Sequence, residues 1–125
     1  MRQILVVDDK PVTREMIRTM LECCGYSVSE AGDGLEAVRI AQQIVPDAIL
    51  LDLQMPALDG FGALERLRAD PRFVGLPIIA LTASAMRGDR EKALAAGFTS
   101  YLSKPVMFRT LRDELARLFA EINTQ

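Results

Sequence analysis

The run Ala48-Ile-Leu-Leu51 is apolar at every position, does not alternate, and stops on a single acid, Asp52. A strand with one wet face alternates. One without alternation is buried on both faces, as in a parallel sheet covered by helices. Pro56, and beyond it Asp59-Gly60, mark the start of a loop. A lone carboxylate at the carboxyl end of such a strand stands on the edge where open α/β sheets place their chemistry. Asp52 reads equally as a strand end or a helix cap, so its meaning depends on what else reaches that edge.

Four further runs read as strands. Gln3 to Val7 is apolar and ends on Asp8-Asp9, Tyr26 to Ala31 alternates, Ile78 to Thr82 is apolar, and Phe98 to Ser103 precedes Lys104-Pro105. Helical spacing fills the intervals. Met16, Ile17, Met20, Leu21 and Cys24 recur after Pro11, with Gly25 as a stop. Leu35, Ala37, Val38, Ala41 and Ile44 point inward on a second helix that Pro46 ends, and Phe61, Leu64 and Leu67 on a third that stops by Asp70-Pro71. Residues 86–96 permit a helix but are rich in alanine, and Phe108, Leu111, Leu115, Leu118 and Ile122 line a last one. Five strands alternating with five helices call for right-handed crossovers and a doubly wound α/β sheet, with a flavodoxin-like order 2-1-3-4-5.

That order brings the carboxyl ends of strands one, three, four and five together, carrying Asp8-Asp9, Asp52, Thr82 and Lys104. Acids so crowded repel by about 4 kcal/mol per pair at 4 Å and an effective dielectric of 20. Protonation or a cation relieves this. The chain has no histidine, so a metal here is hard and oxygen-ligated: magnesium, manganese or calcium. An acid pocket with a metal, an ammonium and a hydroxyl suits a phosphoryl group, with Asp52 attacking phosphorus. Singly, each residue has a plainer meaning: Asp9 as a cap, Thr82 as a strand end, Lys104 as an exposed turn residue.

The other sequence features narrow the class. A net charge of −2 over 125 residues gives no nucleic-acid footprint. No apolar run reaches membrane-spanning length and no signal peptide precedes the first strand. Adjacent Cys23 and Cys24 on a helix point apart and read as reduced thiols of a cytoplasmic protein.

Over essentially its whole length the chain resembles the receiver domain of bacterial two-component response regulators. The resemblance rests on Ile4-Leu-Val-Val-Asp8-Asp9, Leu51-Asp52-Leu-Gln-Met55-Pro56-Ala-Leu-Asp59-Gly60, Ala80-Leu-Thr82-Ala83 and Ser103-Lys104-Pro105. It implies that Asp52 accepts a phosphoryl group from a histidine kinase or histidine phosphotransfer protein. It further implies magnesium (or manganese) held by Asp9, Asp52 and the Gln54 backbone carbonyl, with Asp8 acting largely through water. Lys104, Thr82 and Ala83 would hold the phosphoryl group, Tyr101 would be the aromatic switch, and the Lys104–Pro105 bond would be cis. Tyr101 also reads as an ordinary half-buried strand aromatic. The output surface would be the fourth helix, fifth strand and fifth helix, with Met86, Arg87 and Arg90 facing a partner or simply solvent. Gln54 and Ser84 lie at positions that tune dephosphorylation in this family.

Three other classes fit less well. An aspartyl phosphohydrolase puts its nucleophile in an Asp-x-Asp near the first strand, whereas Asp52-Leu53-Gln54 lacks the second acid. A flavodoxin wants a glycine- and hydroxyl-rich loop where Asp8-Asp9-Lys10 presents acids. A scaffold unable to take phosphate would lack site residues that are present here. The expectation is a single receiver domain over residues 1–125 without an output domain. It would be a switch rather than an enzyme, with no direct contact to nucleic acid or membrane.

Overall fold

A computed structural model describes residues 1–83 and 89–123. In chain order the elements are β1 (Gln3–Val7), α1 (Pro11–Cys23), β2 (Ser27–Ala31), α2 (Gly34–Ile44), β3 (Ala48–Asp52), α3 (Gly60–Arg68), β4 (Ile78–Thr82), α4 (Asp89–Ala96), β5 (Ser100–Ser103) and α5 (Phe108–Asn123). All strand pairs are parallel, in the order β2-β1-β3-β4-β5. The doubly wound reading therefore holds. The three central strands are those with the longest apolar runs, and every residue of β3 and β4 is buried.

Strand alternation sorts the core into two layers. Leu5, Val7, Ile49, Leu51, Ile78 and Ala80 face α2, α3 and α4, which contribute Ala37, Ala41, Ala63, Leu64, Leu67 and Ala93. Ile4, Val6, Leu50, Ile79 and Leu81 face α1 and α5, which contribute Ile17, Leu21, Leu111, Leu115, Leu118 and Phe119.

Local chemistry fixes the helix starts. Pro11 opens α1 with its preset φ, as its place before the helical spacing suggests. Asp33 caps α2 by accepting from Glu36 N at 2.8 Å, while Glu36 Oε1 accepts from Gly32 N at 3.0 Å. Asp59 caps α3 by accepting from Gly62 N at 2.8 Å. Asp59-Gly60 therefore ends the loop after β3 and begins a helix.

Several residues at the helical spacings are exposed, Leu35 among them against its inward assignment. Leu35 is 48% exposed, because it lies about 200° around the axis from Ala37, which faces the core with Ala41. Met16 is 54% exposed, because it lies about 100° around the axis from Ile17, which faces the core with Leu21. Phe108 is 39% exposed at the start of α5, and Phe119 fills the buried site near the other end. β5 begins at Ser100 rather than Phe98. Phe98 is buried in the turn before it, and Thr99 Oγ1 accepts from Ile78 N at 3.1 Å. Ser84, Met86, Arg87 and the first residues expected of the fourth helix lie outside the described residues, as does the side chain of Ile122.

Candidate functional site: an acid-lined sheet edge

Register aligns the strand ends. Val7 pairs with Leu51, Asp52 with Leu81, and Thr82 with Ser103, so Asp8, Asp52, Thr82 and Lys104 emerge side by side. The following loops are tied to the same edge. Leu53 N donates to Leu81 O at 3.0 Å, Gly60 N to Leu53 O at 3.1 Å, and Lys104 N to Thr82 O at 2.7 Å. The Lys104–Pro105 peptide bond is cis. Glycine at position 60 is required, since a Cβ there would lie 2.5 Å from the Asp52 carbonyl oxygen.

Asp8 and Asp52 are buried, at 0% and 4% exposure, and Asp9 is partly open. Ligand oxygens of Asp8, Asp9 and Asp52 lie within 4.8 Å of one another. Lys104 Nζ bridges two of them, 2.7 Å from Asp8 Oδ2 and 3.0 Å from Asp52 Oδ2. Asp8 Oδ1 accepts from Lys10 N at 2.9 Å, and Asp52 Oδ1 from Gln54 N at 3.1 Å. Among the described residues, no side-chain hydrogen bond or ion pair orients Asp9. Three carboxylates facing one ammonium leave an excess of negative charge, and the donor set is all oxygen, which fits a hard divalent cation.

Burial pushes the Asp52 carboxyl above the ordinary carboxylate range, helped by the charge on Asp8. The hydrogen bonds from Gln54 N and Lys104 offset only part of this. For Lys104, burial pulls the ammonium down, but the hydrogen bonds to Asp8 and Asp52 win and hold it above its usual value. The lysine is thus held as a cation beside an acid whose ionisation burial disfavours.

Thr82 is buried at the end of β4, and Ala83 beside it is exposed. Gln54 is exposed just beyond Asp52. Tyr101 is half-buried on β5 and packs against the core layer that holds α3 and α4. The sheet edge therefore gathers Asp8, Asp9, Asp52, Gln54, Thr82, Ala83 and Lys104, with Tyr101 two residues back from the end of β5.

Two arginines around this frame were not singled out from the sequence. Arg14 donates through Nη1 to the Asp8 carbonyl at 2.8 Å. Arg68 donates to the carbonyls of Phe73, Leu76 and Gly97 at 2.6, 2.8 and 3.0 Å, and burial lowers its pKa. A helical arginine wrapped on carbonyls has the same sequence signature as one in water, so no local signal distinguishes them.

A five-stranded doubly wound sheet with clustered acids and a lysine at its carboxyl edge defines a phosphoacceptor signalling switch. Residues 4–116 match the response regulator receiver domain, and the chain belongs to that family. Among curated relatives, it is 39% identical over 120 residues to the DNA-binding dual master transcriptional regulator RpaA of Synechocystis. That match covers 96% of this chain and 48% of RpaA, so the chain spans about half of that relative. It is 34% identical over 105 residues to the polar-differentiation response regulator DivK of Brucella anthropi, covering 84% of this chain and 85% of DivK. Among solved structures, the receiver domain of sensor histidine kinase PA1611 from Pseudomonas aeruginosa superposes with a TM-score of 0.88 at 44% identity. That match covers 95% of this chain and 98% of that one, and the structure holds magnesium in its active site cleft. Vibrio cholerae chemotaxis protein CheY4 gives a TM-score of 0.88 at 34% identity, covering 94% and 98%. Among the described residues no helix is long and apolar enough to cross a membrane.

Proposed function

We propose that Asp52 is the phosphoacceptor of this receiver domain, taking a phosphoryl group from a histidine kinase or histidine phosphotransfer protein. The observation that carries this reading is the meeting of Asp8, Asp9 and Asp52 within 4.8 Å, with Lys104 bridging two of them. An Asp52 carboxylate oxygen forms a bond to phosphorus as the phosphorus–nitrogen bond of the donor breaks, and the imidazole leaves with the electron pair. Asp9, Asp52 and the Gln54 carbonyl hold magnesium or manganese. Asp8 contributes through water. The magnesium reported in the Pseudomonas receiver domain supports that ion. When bound, the cation offsets the clustered charge and polarises the phosphoryl oxygens.

Lys104 then pairs with a phosphoryl oxygen, while the Thr82 hydroxyl and the Ala83 N–H bind the others. The new group adds roughly −1.5 to −2 charge, by analogy with other phosphoresidues, and three acceptors. Drawing Thr82 toward them biases Tyr101 and the α4–β5–α5 face, where a downstream protein reads the state. On this reading residues 1–125 form one cytoplasmic receiver domain. It is a switch whose own chemistry is limited to phosphoryl uptake and slow autodephosphorylation, and it makes no direct contact with nucleic acid or membrane.

Intact mass after treatment with acetyl phosphate and magnesium tests the acceptor. The wild type gains one labile phosphoryl group and Asp52→Asn gains none. A wild type that gains nothing overturns the reading, and sustained turnover of phosphate esters points instead to a hydrolase.

A further inference from the structure

The Asp9 carboxylate presents a problem of aim. It is partly exposed, and among the described residues no side-chain contact orients it. It nevertheless lies within the 4.8 Å cluster with Asp8 and Asp52. Its Cα is placed by the backbone on either side. The peptide joining Asp8 to Asp9 is planar, so fixing its carbonyl fixes the N–H and Cα of Asp9 as well.

That carbonyl is held. Arg14, one turn into α1, donates to Asp8 O from Nη1 at 2.8 Å. The same guanidinium donates from Nε to Glu30 Oε1 on β2 at 2.9 Å. Asp8 N in turn donates to Ala31 O at 3.2 Å, next to Glu30. Glu30 is pinned a second time by Arg18 Nη1 at 2.5 Å. Burial raises the Glu30 carboxyl, but its hydrogen bonds to Arg14 and Arg18 outweigh that and hold it below the usual range, so it stays an anion. The planar fork of arginine reaches a carboxylate and a carbonyl at once, which a lysine ammonium does not do with the same geometry.

We propose that Arg14 is a positioning residue for the divalent cation, clamped by Glu30 and holding the Asp8–Asp9 peptide so that the Asp9 carboxylate points into the acid pocket. The proposal rests on the metal reading above. It assigns to Arg14 an effect opposite to the one its charge alone would have. A guanidinium near a cation site repels the cation, so if charge alone mattered, removing it would tighten binding. If position matters, removing it weakens binding, on the scale of 10–100-fold seen when partners that orient metal ligands are lost.

The test is titration of 15N-labelled, metal-free protein with magnesium chloride at constant ionic strength, followed through the Asp9 and Lys10 amides. Wild type, Arg14→Ala, Arg14→Lys and Arg18→Ala are compared, with melting midpoints recorded without metal. Arg18 shares Glu30 but, among the described residues, makes no hydrogen bond to the β1–α1 loop, so Arg18→Ala controls for loss of the helix–strand ion pair. The expected result is roughly tenfold weaker magnesium binding in both Arg14 variants and unchanged affinity in Arg18→Ala. Equal or tighter binding in Arg14→Ala overturns the proposal, as does an equal loss in Arg18→Ala. Should Arg14→Ala fail to fold, Arg14→Lys, which keeps the charge, decides the matter by the same criterion. A wild type that shows no saturable shift overturns the metal reading itself and the proposal with it, an outcome distinct from a wild type that binds and variants that match it.

Discussion

Two helices on the same face of the sheet are held very differently. α3 begins on the Asp59 cap, seats Gly60 against the backbone of β3, and buries Ala63, Leu64 and Leu67. α4, from Asp89 to Ala96, buries only Ala93 among its described side chains, and Leu94 is 41% exposed. α3 follows the strand that ends on Asp52, and α4 follows the strand that ends on Thr82. The helix behind the acceptor is thus anchored, and the helix behind the hydroxyl is attached by little apolar area. An element with few buried contacts opens or shifts at low cost. The difference suits a domain in which the chemical input must stay fixed and the surface that answers it must move.

The largest expected effect is on the anchored side. Leu64→Ala removes a fully packed side chain and should cost about 2–5 kcal/mol in urea unfolding. A cost below about 1 kcal/mol would mean that α3 is no better anchored than α4.

A smaller effect, of opposite sign, lies at the acid edge. Because its folded-state pKa is raised, the Asp52 carboxyl favours the fold when protonated and opposes it when ionised. That stability is present below the ordinary carboxylate range and is lost as pH rises through the folded pKa. Asp52→Asn should therefore stabilise the metal-free protein at neutral pH by roughly 1 kcal/mol, a common size for one substitution. The gain should vanish as pH falls below the ordinary carboxylate range. Thermal melts across pH check this, and a destabilised variant at neutral pH would show that the Lys104 pair outweighs the burial cost.

The smallest effect is on α4. Leu94→Ala should change stability by no more than about 0.5 kcal/mol, because the side chain is already largely in water. A loss comparable to that of Leu64→Ala would erase the contrast between the helices.

Much of this was legible in the sequence, for a definite reason. Parallel strands buried on both faces leave unbroken apolar runs, so Ile4 to Val7, Ala48 to Leu51 and Ile78 to Leu81 announce both the strands and the sheet centre. Where such a run ends on Asp52 or Thr82, the residue at the edge is named at once. The bounds of helices and the faces of their ends were less legible. Phe108 fits a helical period yet is exposed at the start of its helix, and Leu35 lies across the axis from Ala37 and Ala41, so which face reaches the core depends on packing rather than on spacing. Arg14 and Arg68 escaped for a related reason. Each donates to backbone carbonyls brought near by the fold, and no residue type in the sequence marks a carbonyl that needs a donor.

The central claim is that phosphoryl uptake at a fixed edge moves a loosely held face. Amide hydrogen exchange, with and without acetyl phosphate and magnesium and with uptake confirmed by mass, tests it most directly. The predicted result is altered protection in α4 and β5, with β3 and α3 unchanged beyond the residues adjoining Asp52. Equal change in α3 and α4, or none in α4 despite full phosphorylation, would contradict it.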